Sequence, residues 1–377
     1  MTFRGHTDDP KGEVQEATDV ISVLVVDDSV VVRRLIVDAL ADAPDVQVIG
    51  TAANGRIALR KIERLNPDLV TMDVEMPEMD GLEAVRQLRR TDSRLPVIMF
   101  SALTASGAAA TLDALAAGAT DYVTKPSRMD SIASAVRAVR DQLLPRIYAL
   151  HNRRVPTRPS HPSVEPVAPR AAPKRTGGID VVAIGASTGG PEALSQVLGA
   201  LPATLPAPVL VVQHMPPVFT RMFAERLDRA CGLRVAEAQD GMPVQPGTVL
   251  IAPGDRHLTV ARRGAAVVAV LTDAPPEHSC RPAVDVLFRS VRQVYGGAAL
   301  GVVLTGMGQD GVSGSQVLRA AGADVIAQDE ASSVVWGMPG GVVKGGLATA
   351  TLPLPDIAPF IVSRVGASRT TRTKVVV

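Results

Sequence analysis

The chain has 377 residues, 46% hydrophobic and 20% charged, with 39 Lys and Arg against 38 Asp and Glu and a formal net charge of +1. That length favours two domains, each large enough to bury a core, while balanced charge and 3% aromatics exclude a global basic field or a base-stacking platform, so no nucleic acid partner is expected. Apolar runs are too short to cross a bilayer and residues 1–19 are acidic and polar without the apolar stretch of a signal peptide, which predicts a disordered tail, no membrane insertion and a cytoplasmic protein.

From residue 20 onward, short apolar runs alternate with helical patterns. Residues 23–26, 46–49, 69–72, 97–100 and 122–123 read as strands bounded by Asp, Gly or Pro. Between them Val32, Leu35, Ile36, Ala39 and Leu40 keep helical spacing, as do Ala58, Ile62 and Leu65, and then Ile132, Val136, Val139 and Leu143. The alternation predicts an α/β domain over residues 20–151, a parallel sheet with helices on both faces.

In such a sheet the residues just past the carboxyl ends of the strands converge on one crevice. Here they are Asp27 and Asp28, Asp73, Ser101 and Lys125. Three converging carboxylates repel one another unless a cation lies among them, and hard oxygen donors suit Mg²⁺. Lys125 and Ser101 then supply a positive charge and a hydroxyl for a phosphoryl group carried by Asp73. Any one strand-end aspartate is equally a loop or cap residue; the set of five is not so easily explained.

Residues 152–178 are rich in Pro, Ala and basic residues without apolar period, and read as a semi-extended linker. Strand patterns resume at 181–184, 209–212, 249–252, 302–304 and 325–327, with a hairpin of 258–261 and 267–271 around Arg262-Arg263-Gly264. Residues 179–366 therefore form a second doubly wound α/β domain with a hairpin insertion, and 367–377 a flexible tail. Cys231 and Cys280 lack CxxC spacing and read as reduced, structural thiols.

Two motifs in the second domain point to different chemistries. Gly185-Ala186-Ser187-Thr188-Gly189 follows a strand and opens a helix, the pattern of an exposed nucleophile, although a serine there is equally an N-cap. Gly306, Gly308 and Gly311 form a Gly-x-Gly-x-x-Gly followed by Asp329, which makes a dinucleotide-binding effector the rival. Asp310 stands inside that second motif, where a carboxylate repels phosphate and occupies the amides of the helix that follows. Among the histidines, His214 follows a strand at the same sheet edge as Ser187; His257 stands at the start of the hairpin and His278 lies in Pro-Pro-Glu-His-Ser-Cys. Ser187, His214 and Asp310 then make a triad of nucleophile, base and orienter, in an order that differs from the Ser, Asp or Glu, His of α/β-hydrolases.

The first domain resembles the receiver domains of response regulators, on Asp27-Asp28, Asp73, Met76-Pro77, Asp80-Gly81, Ser101-Ala102, Asp121-Tyr122 and Lys125-Pro126. The resemblance implies a flavodoxin-like fold, phosphorylation at Asp73, Mg²⁺ held by Asp28 and Asp73 with the backbone carbonyl of Glu75, and readout through Ser101 and Tyr122. The second domain resembles the chemotaxis protein-glutamate methylesterases (CheB), on residues 185–191, Gln213-His214-Met215-Pro216, 251–257, Arg281-Pro282 through Phe288, and 304–311. This implies a Rossmann-like esterase domain with Ser187, His214 and Asp310 catalytic, Thr188 and Met307 supporting them, and no cofactor for hydrolysis. It further implies methylated chemoreceptor cytoplasmic domains as substrates, glutamine deamidation as a related activity, and the chemotaxis histidine kinase as phosphodonor. The chain departs from the family in its acidic tail, its long linker, and Ala283 where serine is expected.

Overall fold

Residues 20–92, 94–126, 131–151 and 178–372 are described by a computed structural model; the tail at 1–19 and nearly all of the linker lie outside the described residues. The first domain runs β1 (Ile21–Val26), α1 (Val30–Leu40), β2 (Val46–Ala52), α2 (Gly55–Leu65), β3 (Leu69–Asp73), α3 (Gly81–Thr91), β4 (Val97–Ser101), α4 (Ala105–Ala116), β5 (Asp121–Thr124) and α5 (Ile132–His151). The helices begin where a short polar side chain takes an orphan amide: Ser29, Asn54, Asp80 and Thr104 accept from the backbone of Val32, Ile57, Glu83 and Gly107. All five strands are parallel in the order β2-β1-β3-β4-β5. β1 and β3 flank the point where the chain changes direction across the sheet, so Asp27, Asp28 and Asp73 emerge at the crevice that such a reversal opens.

The second domain runs β6 (Val181–Ala186), α6 (Gly190–Gly199), β7 (Val209–Gln213), α7 (Pro217–Ala230), β8 (Arg234–Glu237), β9 (Thr248–Ile251), β10 (His257–Arg263), β11 (Ala266–Thr272), α8 (Val284–Tyr295), β12 (Ala299–Val303), α9 (Val312–Ala320), β13 (Asp324–Gln328), α10 (Met338–Lys344), β14 (Ala350–Leu352) and α11 (Leu354–Arg372). Its seven parallel strands lie in the order β14-β13-β12-β6-β7-β9-β8, with β10 and β11 as a separate antiparallel hairpin. The hairpin turns on Gly264 at φ +63°, the conformation that a two-residue connection demands of its first central residue. Helix α11 continues to Arg372, so residues 367–372, expected as tail, prolong a helix.

β6 is the central strand, with β7 on one side and β12 on the other. The ends of these three strands are the topological switch point of the second sheet. Strands β6, β7 and β12 are wholly buried, and Phe219, Phe223 and Phe288 are enclosed by the helices that cover them. Each such side chain contributes about 1.5–3 kcal/mol relative to exposure.

The two domains share apolar surface. Tyr122 of β5 stacks on Phe219 of α7 with ring centroids 4.7 Å apart and planes 5° from parallel. Asp113 of α4 forms an ion pair with Arg226 of α7, and Met307, Val334 and Val335 of the second domain pack against the cluster around α1 and α5.

Candidate active site

Pairing of β6 with β7 ends at Ala186 opposite Gln213, so Ser187 and His214 leave the sheet side by side. The Ser187 turn is held from three directions. Its amide donates to the Thr305 carbonyl at 3.0 Å, its carbonyl accepts from Gln213 Nε2 at 2.9 Å, and Thr305 Oγ1 donates to the Thr188 carbonyl at 2.9 Å. Ser187 does not cap α6: the N-cap is Gly189, at φ +75°, with no side-chain hydrogen bond. The turn needs its glycines for space, since a Cβ at Gly190 would lie 2.0 Å from Gln213 Oε1 and one at Gly306 would lie 2.9 Å from Ser187 Cβ. The serine is therefore held half-buried in a rigid bend without a helix-capping role.

His214 Nε2 lies 2.8 Å from Asp310 Oδ2. The carboxylate of Asp310, buried on the β12–α9 connection, also accepts from the amides of Val284 at 2.7 Å and Asp285 at 2.9 Å, the first amides of α8. The sequence places Asp310 against the amides of its own following helix; the structure turns it instead to α8 across the crevice. Burial disfavours its charge, but the His214 hydrogen bond and the two amides outweigh burial and hold the carboxyl below the usual range. His214 is 12% exposed. Burial opposes its protonation, yet Asp310 first and Cys280 next push the imidazole up to about 9.

Cys231 and Cys280 are both free thiols, as the sequence leads one to expect, and Cys280 Sγ stands 3.5 Å from His214 Nδ1. His257 is fully buried and ties the hairpin to α8: Nδ1 accepts from the Ala283 amide at 3.1 Å, which leaves Nε2 to donate to the Pro275 carbonyl. Ala283 thus gives its amide to His257 while α8 is capped by Asp310, and no serine hydroxyl is needed there. His278 is exposed and pairs with buried Asp285 at 3.0 Å.

Thr188 is buried, and its hydroxyl donates at 2.8 Å to Asp121 Oδ2 at the start of β5 in the first domain. Asp121 also accepts from Arg146 Nε at 3.0 Å. This link was not legible in the sequence, because Asp121 carries no motif beyond preceding Tyr122. Met307 is half-buried at the domain boundary. A cavity of about 990 Å³ opens between the domains beside Gly189, Pro191 and Val334, but Ser187, His214 and Asp310 do not line it.

In the first domain Asp27, Asp28 and Asp73 each present a carboxylate oxygen within 4.8 Å of the others. Lys125 Nζ lies 2.8 Å from Asp73 and 3.0 Å from Asp27. Burial raises the Asp73 carboxyl to about 6, Asp27 adds repulsion, and Lys125 pulls against both. Ser101 is brought near but points away: its hydroxyl donates to the Gly107 carbonyl at 3.1 Å. Tyr122 is buried, and burial keeps its phenol protonated. Glu75 is exposed beside Asp73.

Residues 23–137 match the response regulator receiver domain and residues 182–361 match the CheB methylesterase family. A protein-glutamate methylesterase/protein-glutamine glutaminase of Nocardioides sp. is 54% identical over 93% of this chain and 96% of its own length. One of Trichodesmium erythraeum is 50% identical over 91% and 99%. The solved catalytic domain of Thermotoga maritima CheB methylesterase is 41% identical, over 49% of this chain and 98% of that one, at a TM-score of 0.49. The chain belongs to the protein-glutamate methylesterase/protein-glutamine glutaminase family, with a response regulator receiver domain ahead of a CheB methylesterase domain.

Proposed function

We propose that this chain hydrolyses glutamate methyl esters on the cytoplasmic domains of chemoreceptors, and glutamine side chains there, under the control of phosphorylation at Asp73. The observation that carries the reading is the His214–Asp310 pair at a switch point where Ser187 directly follows the adjacent strand. Ser187 Oγ attacks the ester carbonyl carbon while His214 takes the hydroxyl proton. Asp310 keeps Nε2 protonated, so Nδ1 is the basic nitrogen, and it stabilises the imidazolium. His214 returns the proton to the departing methoxide, which leaves as methanol. Water, activated by the same histidine, then attacks the acyl-serine and releases the glutamate carboxylate and the serine hydroxyl. Thr188 Oγ1 and the backbone near Met307 are assigned to the oxyanion. No cofactor is assigned to this step.

Asp27, Asp28 and Asp73, with the carbonyl of Glu75, suit a Mg²⁺ ion, since three hard oxygens converge where a buried carboxylate is otherwise pushed toward neutrality. Bound there, the cation supplies charge neutralisation for a phosphoryl group in transfer. Asp73 provides the accepting oxygen, Lys125 holds the phosphoryl oxygens, and Ser101 rotates away from Gly107 to join them, with Tyr122 following. The chemotaxis histidine kinase is the assigned phosphodonor, and the cytoplasm the assigned compartment; no helix among the described residues is long and apolar enough to cross a membrane.

In the closed arrangement Asp121 occupies the Thr188 hydroxyl and Tyr122 is stacked on α7. A change at Tyr122 thus reaches the esterase domain directly, and separation of the domains frees Thr188. The reading is tested by methanol release from a methylated receptor: Ser187→Ala abolishes it, and survival of release in that variant refutes the mechanism.

A further inference from the structure

The hydrolysis scheme gives one ring nitrogen of His214 to Asp310 and needs the other for Ser187. Nε2 is held by Asp310 at 2.8 Å. Nδ1 faces Cys280 Sγ at 3.5 Å, within reach of a sulfur hydrogen bond. Among the described residues no hydrogen bond joins Ser187 Oγ to His214. A thiol that hydrolysis does not use therefore engages the nitrogen that hydrolysis requires.

We propose that Cys280 is a positioning residue for the base, holding the His214 ring through Nδ1 and setting how readily that nitrogen is released to the Ser187 hydroxyl. The inference rests on the serine-hydrolase reading of the site. A thiol suits both protonation states of the ring. When Nδ1 bears a lone pair, S–H donates to it; when Nδ1 is protonated, sulfur accepts. The imidazole can thus gain or lose a proton without losing its second anchor. Catalysis requires the Ser187 hydroxyl to displace the thiol.

The placement of Cys280 is fixed by its turn. The amide of Glu277 donates to the Cys280 carbonyl at 3.1 Å and the amide of Cys280 donates back at 2.8 Å, closing a two-residue turn over His278 and Ser279. Both of those residues have positive φ, 51° and 60°, where Gly or Asn is usual. The neighbouring side chains hold this strained form closed. Glu277 pairs with Arg289, His278 with Asp285, and Arg281 with Asp255 and with the carbonyls of Asp273 and Ala274. Cys280 therefore reaches His214 from a tethered turn rather than a free loop.

The groups that act on His214 come from three connections. Asp310 approaches from the β12–α9 connection and Cys280 from the β11–α8 turn, with Ser187 on the β6–α6 bend. At one remove Asp285 of α8 is paired with His278. Burial opposes the charged ring, while Asp310 and Cys280 favour it, the thiol because a charged N–H bonds sulfur more strongly than a neutral ring nitrogen accepts from S–H. Loss of the thiol leaves Asp310 alone against burial, so the ring becomes easier to deprotonate.

The test is a histidine-selective ¹⁵N NMR titration of the full chain, with the His214 signals assigned by their loss in His214→Gln. In Cys280→Ala the His214 midpoint falls by about half a pH unit, the size of one modest hydrogen-bond contribution to one protonation state. Cys280→Ser, which keeps a donor and acceptor, falls between alanine and wild type. The low-pH limb of kcat/KM for methanol release follows the same order, making Cys280→Ala about threefold faster relative to its own plateau on that limb. An unchanged or raised midpoint in Cys280→Ala overturns the proposal, as does a serine variant no nearer to wild type than alanine. If the wild type releases no methanol, the esterase reading fails while the NMR titration still decides what the thiol does.

Discussion

Asp310 has two tasks that a single substitution separates from simple loss of charge. Its Oδ2 fixes the His214 tautomer, and both oxygens cap the first turn of α8. Asp310→Asn puts an amide donor against Nε2 or against the α8 amides, whichever way the side chain flips. We expect kcat for methanol release to fall by about 10³–10⁴-fold, as for removal of the orienting carboxylate in other serine hydrolases, with KM little changed. A drop below tenfold contradicts the role. The pH dependence follows from the same contacts. A base raised to about 9 is protonated below that pH and neutral above it, and only the neutral ring accepts the serine proton. Basal activity, without phosphodonor, therefore climbs from neutral pH toward about 9 and is lost as pH falls. A plateau already reached at pH 7 refutes this assignment.

The Ser187 bend is an element whose geometry depends on absent side chains. A Cβ at Gly190 meets Gln213 Oε1 at 2.0 Å, and Gln213 is the side chain that holds the Ser187 carbonyl. Gly190→Ala is expected to cost about 1–3 kcal/mol in thermal or urea unfolding, because the overlap is with a buried side chain that is itself constrained. It should also lower kcat through the displaced serine. An alanine variant as stable and as active as wild type removes this account of the bend. At this scale the sequence was informative where a period and a boundary coincided. The strands at 23–26, 69–72, 181–184 and 209–212 announce themselves as buried apolar runs, and their ends place Asp27, Asp73, Ser187 and His214. β8 (Arg234–Glu237) and β14 (Ala350–Leu352) were silent because they are short edge strands of mixed composition. The α8 amides that Asp310 accepts from and the ring nitrogen that Cys280 meets were silent for another reason. Both are joined to their contacts only by tertiary packing of loops far apart in sequence, and no local pattern encodes which helix terminus or ring nitrogen a loop side chain will meet.

Across the whole molecule, control of the esterase domain depends on how the receiver lies against it. Tyr122 on Phe219, Asp121 on Thr188 and Asp113 on Arg226 are three contacts of different kinds across one boundary. The exposed ion pair contributes little, whereas the stacked rings contribute about 1 kcal/mol beyond their burial. Phe219→Leu, which keeps the core filled but removes the stack, is expected to raise activity without phosphodonor by about fivefold, since about 1 kcal/mol of lost closed-state stability multiplies the open population by that factor. Phosphodonor should then stimulate it less than wild type. The receiver fold and its acidic crevice were legible because five chemistry-bearing residues follow five strands in order. The contacts between the domains were not, since no local pattern pairs a side chain of one domain with a side chain of the other. The most direct test of the account is methanol release from methylated receptor by the full chain, with and without phosphodonor, in wild type, Asp73→Asn and Ser187→Ala. Release that rises with phosphodonor in wild type, stays at its basal rate in Asp73→Asn and disappears in Ser187→Ala is the predicted result; release that persists in Ser187→Ala, or that responds fully to phosphodonor in Asp73→Asn, contradicts it.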